Sequence, residues 1–237
     1  MNILKNKLKN IPHLPLNITY DVNRLLQEFK DLPYPLMDYI PFKQSWYKNN
    51  QVNWKSLSLS SIGGKILSNP EEPFNGYFEE TLKDYCPYTY EVIESVGGGR
   101  LLARYEEIVN SAGWHSHQMQ AKQPDNIAIL QIPLLMPEDS KFSVVSYMDY
   151  RGSDFRKPFK VYEQRYEPGQ MYILNSYHYH NAFNYSSDPM ITIRVYIDLN
   201  DQNTKDMVEK AVNSYTGEVV ESYENYMERM ELGFLDN

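Results

Sequence analysis

Four of the five histidines in this chain fall into two His-x-His pairs, Trp114-His115-Ser116-His117 and His178-Tyr179-His180. Residues two apart on a strand share a face. Two such strands side by side can turn three imidazoles toward one point, the nitrogen donor set that suits a first-row transition metal. Downstream, Met190 to Leu199 alternates strictly. Ile191, Ile193, Val195, Ile197 and Leu199 fall on one face, and Met190, Thr192, Arg194, Tyr196 and Asp198 on the other. The second face meets either water or the polar interior of a barrel, where Arg194 would lie beside the histidines. His13 stands alone in the leading segment and has no partner in sequence for a site.

These residues need strands to hold them, and the surrounding chain reads that way. Trp54 to Ser60 is a strand ending at Gly63-Gly64, and Arg100 to Ile108 is another. Asn126 to Met136 is nearly all apolar, so it is expected to be buried on both faces, and Phe142 to Met148 continues in that style. Asp149 to Pro158 is a polar loop. Glu167-Pro168-Gly169-Gln170 carries Pro and Gly at the central positions of a type II turn, which is expected to lead into a strand bearing His178 and His180.

Helices flank this region. Asp21 to Lys30 is amphipathic, with Thr19 or Asp21 available as cap, and the prolines at 33, 35 and 41 turn the next stretch into an extended covering segment. Pro87 opens a short helix from about Tyr88 to Val96, and Gly97-Gly98-Gly99 reads as a flexible stop. The triplet lacks the Lys-Ser/Thr of a phosphate-binding loop and comes after a helix instead of before one. After Leu199 the spacing turns helical through Met207 to Tyr215, and again from Val219 to Met230. The expected organisation is an N-terminal helix and covering arm over 1–51, a β domain over 52–200, and C-terminal helices over 201–237 packed on it. The alternative role for those helices is the contact of a homodimer.

His180-Asn181-Ala182-Phe183-Asn184 fits a His-x-x-x-Asn signature, with Leu174-Asn175-Ser176-Tyr177 leading in and Arg194 on the next strand. Together with Ile129-Leu130-Gln131-Ile132-Pro133-Leu134, Gly99-Arg100-Leu101-Leu102-Ala103-Arg104 and Cys86-Pro87-Tyr88, the order of these motifs resembles the aspartyl/asparaginyl β-hydroxylase and cis-proline hydroxylase group of Fe(II)/2-oxoglutarate-dependent oxygenases. The similarity spans Val52 to Leu199. It implies a mainly β fold with flanking helices, a double-stranded β-helix (jelly roll, cupin-like). It further implies His115 and His180 as iron ligands, Arg194 as the anchor of the far carboxylate of 2-oxoglutarate, and Gln131 close to that cosubstrate. The substrate class it implies is an amino acid, free or in a peptide, oxidised with O2. Relatives usually have Asp two residues after the first ligand, and this chain has His117. His117 is therefore a third ligand, a hydrogen-bond donor beside one, or a substrate contact. Imidazoles without a carboxylate leave a ferrous ion at +2, which favours an anionic cosubstrate. His178 matches no ligand position in the resemblance.

Two other functions remain open to the sequence. One is a three-histidine cupin-type dioxygenase independent of 2-oxoglutarate, with Arg194 holding substrate. The other is a non-catalytic metal-binding barrel. At 237 residues, 23% charged and 14% aromatic, the chain is globular. A formal charge of −8 argues against a nucleic-acid backbone as the main partner. Cys86 is the only cysteine, so no intrachain disulfide forms. Neither a secretory leader nor a membrane span is legible, and a cytoplasmic protein is the expectation.

Overall fold

The computed structural model describes residues 2–38, 53–67, 79–114, 126–145 and 160–220. Its centre is a strand, β12 (Met190–Asp198), that pairs antiparallel on both sides, with β6 (Arg100–Ile108) and with β7 (Ile127–Leu135). β6 continues to β3 (Trp54–Ser58) and β2 (Met37–Asp38). β7 continues to β10 (Gln170–Leu174) and β1 (His13–Thr19), which completes a seven-stranded sheet. A smaller sheet joins β11 (His180–Asn184), β8 (Ser140–Val145) and β9 (Val161–Gln164). A two-stranded ribbon, β4 (Ser60–Ser61) and β5 (Glu79–Glu80), is paired separately and lies against β6, where Ala103 N donates to Ser60 Oγ at 2.8 Å.

The chain passes back and forth between the two larger sheets. From β6 it reaches the small sheet, where Ser111 bridges Phe183 of β11. It then enters the large sheet at β7, the small one at β8 and β9, the large at β10, the small at β11, and the large again at β12. That alternation is the winding of a double-stranded β-helix, so the expected fold class stands.

Both faces of the large sheet are buried. The odd-numbered side chains Ile191, Ile193, Val195 and Ile197 meet four helices in one apolar cluster. These are α1 (Asn2–Lys9), α2 (Val22–Lys30), α3 (Pro87–Glu94) and α4 (Gln202–Ser214). They contribute Leu4 and Leu8, Leu25, Val92 and Ile93, and Val208, Ala211 and Val212. The opposite face packs on the small sheet: Trp54, Ile108, Tyr172, Leu174 and Met190 meet Phe142, Val144, Tyr162 and Ala182. Arg194 therefore faces the interior and not water. Leu135 is the one exposed residue of β7, which matches a strand buried on both faces. Pro133 is tolerated within it because the β7–β12 register slips between Ile191 and Thr192, a bulge that relieves the missing N–H.

Several sequence expectations are met locally. Asp21 caps α2, accepting from the N–H groups of Asn23 and Arg24 at 3.0 and 3.1 Å. Gly169 sits at φ +98°, as the second central position of a type II turn requires. Others change. His13–Thr19 lies within the segment expected to be a covering arm, yet it is an edge strand paired with β10. The glycine triplet is a close contact and not a flexible stop: a Cβ on Gly99 would lie 2.5 Å from the carbonyl of Asp198. Val219 and Val220 are not helical, and 221–237 lie outside the described residues. No helix among the described residues is long and apolar enough to cross a membrane.

His13 is buried against β9 and the aromatic stack of Phe142, Tyr166 and Tyr172. Its Nε2 donates to the carbonyl of Tyr162 at 3.1 Å, and its Nδ1 accepts from the Tyr166 hydroxyl at 2.9 Å. Burial pushes the imidazole down to about 4 from 6.5, opposed only by the bond to Tyr162. Between these values the unfolded chain binds a proton that the native protein does not. Stability should therefore be full above pH 6.5 and fall as the pH drops toward 4, by about 3 kcal/mol at most. Urea titrations of the parent and His13→Gln across pH 7 to 4 should show a shallower decline in the variant.

Candidate functional site

The antiparallel registers align a polar band across the middle of the inner face. Arg194 lies opposite Arg104 on one side and Gln131 on the other, and Thr192 lies opposite Glu106, which lies opposite Ser56. Apolar residues close both ends, Leu102, Ile129 and Tyr196 at one and Trp54, Ile108 and Met190 at the other. The alternation of β6 creates this band: Arg104 and Glu106 share a face with Leu102 and Ile108.

Glu106 is fully buried between two guanidiniums. Its Oε1 accepts from Arg104 Nε at 2.7 Å, and its Oε2 lies 3.1 Å from Arg194 Nε. The second contact is an ion pair without hydrogen-bond alignment, because the Arg194 Nε–H does not aim at the oxygen. Both guanidiniums also lie near the indole of Trp54, at 5.3 Å for Arg104 and 5.1 Å for Arg194. With two arginines and one carboxylate among the described residues, these three side chains carry a formal charge of +1.

Among the described residues, donors outnumber acceptors here. The guanidinium of Arg194 is 2% exposed and finds no hydrogen-bond acceptor among the described residues. Gln131 is fully buried; its Oε1 accepts from Thr192 Oγ1 at 3.1 Å, and its Nε2 has no acceptor among the described residues. Each such buried donor costs about 1–3 kcal/mol. An arginine and an amide side by side, both lacking acceptors, fit a planar anion such as a carboxylate.

Of the expected iron ligands, His180 is among the described residues. His180 opens β11 opposite Val144, 1% exposed, on the face that packs into the barrel with Ala182. Its Nδ1 lies 3.0 Å from the carbonyl of His178, and a carbonyl only accepts. Nδ1 therefore carries the proton, which makes Nε2 the lone-pair nitrogen, the tautomer a metal ligand needs. The described chain after β6 runs beside β11, with Ala112 N donating to Ala182 O at 3.0 Å, and ends at Trp114, edge-on to Phe183 at 5.6 Å. His115 and His117 lie outside the described residues.

Two histidines have structural positions. His178 does not share a strand with His180, because β11 begins at His180 and His178 lies in the crossing between the sheets. Its Nε2 donates to the carbonyl of Lys9 at 3.0 Å, and burial holds its pKa below the usual value. His13 has both ring nitrogens engaged, so it offers no lone pair.

The asparagines of the motif are joints. Asn184 Nδ2 donates to the carbonyls of Ile108 and Asp188 at 2.9 and 2.7 Å, tying the end of β11 to the end of β6. Asn175 Nδ2 donates to the carbonyls of Lys9 and Ile11 at 2.8 and 2.9 Å, closing the C-terminal end of α1. Cys86 is buried and its thiol is pushed up to about 12, chiefly by burial, which makes it no nucleophile.

Cavities walled by described residues lie elsewhere. One of about 620 Å³ opens beside Glu79, Glu80 and Arg100, and one of about 480 Å³ between β1, β9 and the end of α4. In the first, Glu80 pairs with Lys83 at 2.9 Å. Neither includes His180, Arg194 or Gln131.

Sequence reasoning passed over Arg104, Glu106 and Trp54. The signal was present in the alternation of β6, where two charges occupy the same face as Leu102 and Ile108.

No family model matches the chain, and no curated protein does. Among solved structures, the non-haem α-ketoglutarate-dependent epimerase SnoN from nogalamycin biosynthesis aligns at 10% identity and a TM-score of 0.49. That alignment covers 83% of this chain and 80% of that one. A 2OG-Fe(II) oxygenase family oxidoreductase from Burkholderia pseudomallei aligns at 10% identity and 0.46, covering 86% and 92%. A prolyl hydroxylase from Trichoplax adhaerens, in complex with a hypoxia inducible factor peptide fragment, aligns at 10% and 0.45, covering 86% and 90%. Likeness this distant bears on neither activity nor substrate.

The Gln131 amide is paired through Oε1 and, among the described residues, has no acceptor at Nε2. Gln131→Met removes one unsatisfied donor but leaves the buried Thr192 hydroxyl without its described acceptor, so the two effects offset and stability should change by less than about 1 kcal/mol. Thr192→Val, which strips the only described donor from Gln131 Oε1, should cost about 1–2 kcal/mol. Urea denaturation at pH 7 distinguishes the two.

Proposed function

We propose that this protein is a non-haem Fe(II)/2-oxoglutarate-dependent oxygenase that hydroxylates an amino acid, free or in a peptide. The observation that carries the reading is the acceptor-poor, net-positive band around Arg194 and Gln131 on the inner face of a double-stranded β-helix, with His180 on the facing sheet.

In this reading His180 and His115 hold iron, and His117 is a third ligand or stands beside one. His115 is joined by a single peptide bond to Trp114, the last described residue of the segment paired with β11. The hydrogen bond from His180 Nδ1 to the His178 carbonyl fixes the ring, so that Nε2 is presented without a tautomer change. Arg194 forks onto the far carboxylate of 2-oxoglutarate, and the Gln131 amide supplies a further donor. Trp54 walls the band and keeps water from the guanidiniums, which strengthens their hold on an anion. Bound iron with 2-oxoglutarate would supply the oxidising power to attack an unactivated C–H bond with O2.

A second reading has one observation in its favour. Glu106 already partners Arg194, so the arginine could serve the fold alone, as in a barrel that binds metal without 2-oxoglutarate.

The purified chain, reconstituted anaerobically, should bind about one Fe(II), and His115→Ala and His180→Ala should each remove it. Arg194→Ala should keep the iron and weaken 2-oxoglutarate by about one to three orders of magnitude. Amino acids screened singly should yield succinate from 2-oxoglutarate with one class of substrate. Oxygen uptake that ignores added 2-oxoglutarate would instead mark a dioxygenase of the three-histidine kind.

A further inference from the structure

We infer that Arg104 and Glu106 belong to the same anion site as Arg194 and Gln131, and that Glu106 sets its charge so that it takes one carboxylate group. The inference rests on reading Arg194 as a carboxylate anchor and is independent of iron chemistry.

Arg104 and Arg194 are directly opposed across β6 and β12, and like charges so placed repel. Glu106, shared by both, offsets that repulsion and, among the described residues, leaves one positive charge over. Trp54 lies near both guanidiniums at almost equal distance, so the two form one group against one wall. A single carboxylate neutralises the cluster and supplies the acceptors that Arg194 and the Gln131 amide lack among the described residues. A second anionic group in the band would meet Glu106. The site should therefore accept the terminal carboxylate of a short dicarboxylic acid and discriminate against a more highly charged end such as a phosphate.

Glutarate is the probe, because it spans the same five carbons as 2-oxoglutarate and lacks the keto acid that would chelate a metal. Binding to the metal-free full chain is measured by calorimetry and tryptophan fluorescence, with glutaramide as the uncharged control. Glutarate should bind the parent and glutaramide should not. Arg104→Gln should weaken glutarate about 10–100-fold, the loss of a charged hydrogen bond. Glu106→Gln should tighten it several-fold, and the double variant should return to within a few-fold of the parent, since its net charge is the same. Should a neutral variant fail to fold, Arg104→Lys carries the test: it keeps the charge but loses the planar fork, and should weaken glutarate several-fold.

No glutarate binding by the parent overturns the inference. So does unchanged affinity in Arg104→Lys or Arg104→Gln, or weakening in Glu106→Gln. A charge-ordered glutarate series without 2-oxoglutarate turnover would leave the anion site standing and remove the oxygenase. Turnover with affinities indifferent to Arg104 and Glu106 would do the reverse.

Discussion

A carboxylate held between two guanidiniums, with all three side chains removed from water, is the constraint on which the rest of this structure turns. Such a cluster does not stabilise a fold cheaply: taking each ion out of water costs several kcal/mol, and mutual attraction repays it only when geometry is good. Here one pairing is well made, Arg104 with Glu106 at 2.7 Å, and the other, Arg194 with Glu106 at 3.1 Å, lacks hydrogen-bond alignment. A purely structural pair would gain from closing that gap. An arginine and a neighbouring amide short of acceptors among the described residues cost the fold stability, which fits the proposed role in receiving an anion.

The fold isolates the band from water on both sides of the sheet. Behind it, four helices cover the odd-numbered residues of β12 with one continuous apolar cluster. In front, the aromatic stack of Phe142, Tyr166 and Tyr172, with rings about 4 Å apart, fills the space between the sheets. Two asparagines hold the parts in register. Asn184 joins β11 to β6, which fixes His180 relative to the polar band, and Asn175 binds the end of α1 to the crossing that contains His178. The residues of the motif thus divide into those that face the interior and those that hold the interior together.

Much of this was readable without coordinates. Strict alternation in Met190 to Leu199 separated Arg194 from the isoleucines, and the apolar run around Gln131 marked a strand buried on both faces. Both come from the period of two, which is local. Pro168-Gly169 announced its turn for the same reason, since the positive φ is a property of one residue. The sequence also contained, unexploited, the shared face of Arg104 and Glu106.

What the sequence could not supply was pairing. Whether the polar face of β12 met water or an interior depends on a second sheet far away in the chain, and the i, i+2 rule failed for His178 because a strand's start is decided by its neighbour. His13 looked isolated because its partners, Tyr162 and Tyr166, lie some 150 residues away. The glycine triplet looked like a flexible stop because its reason, the carbonyl of Asp198 and the side chain of Thr204, comes from the other end of the domain. Local periodicity fixes which side chains share a face. Only the closure of the sheets decides what that face meets, because the partners are brought there by chain crossings that no window of sequence contains.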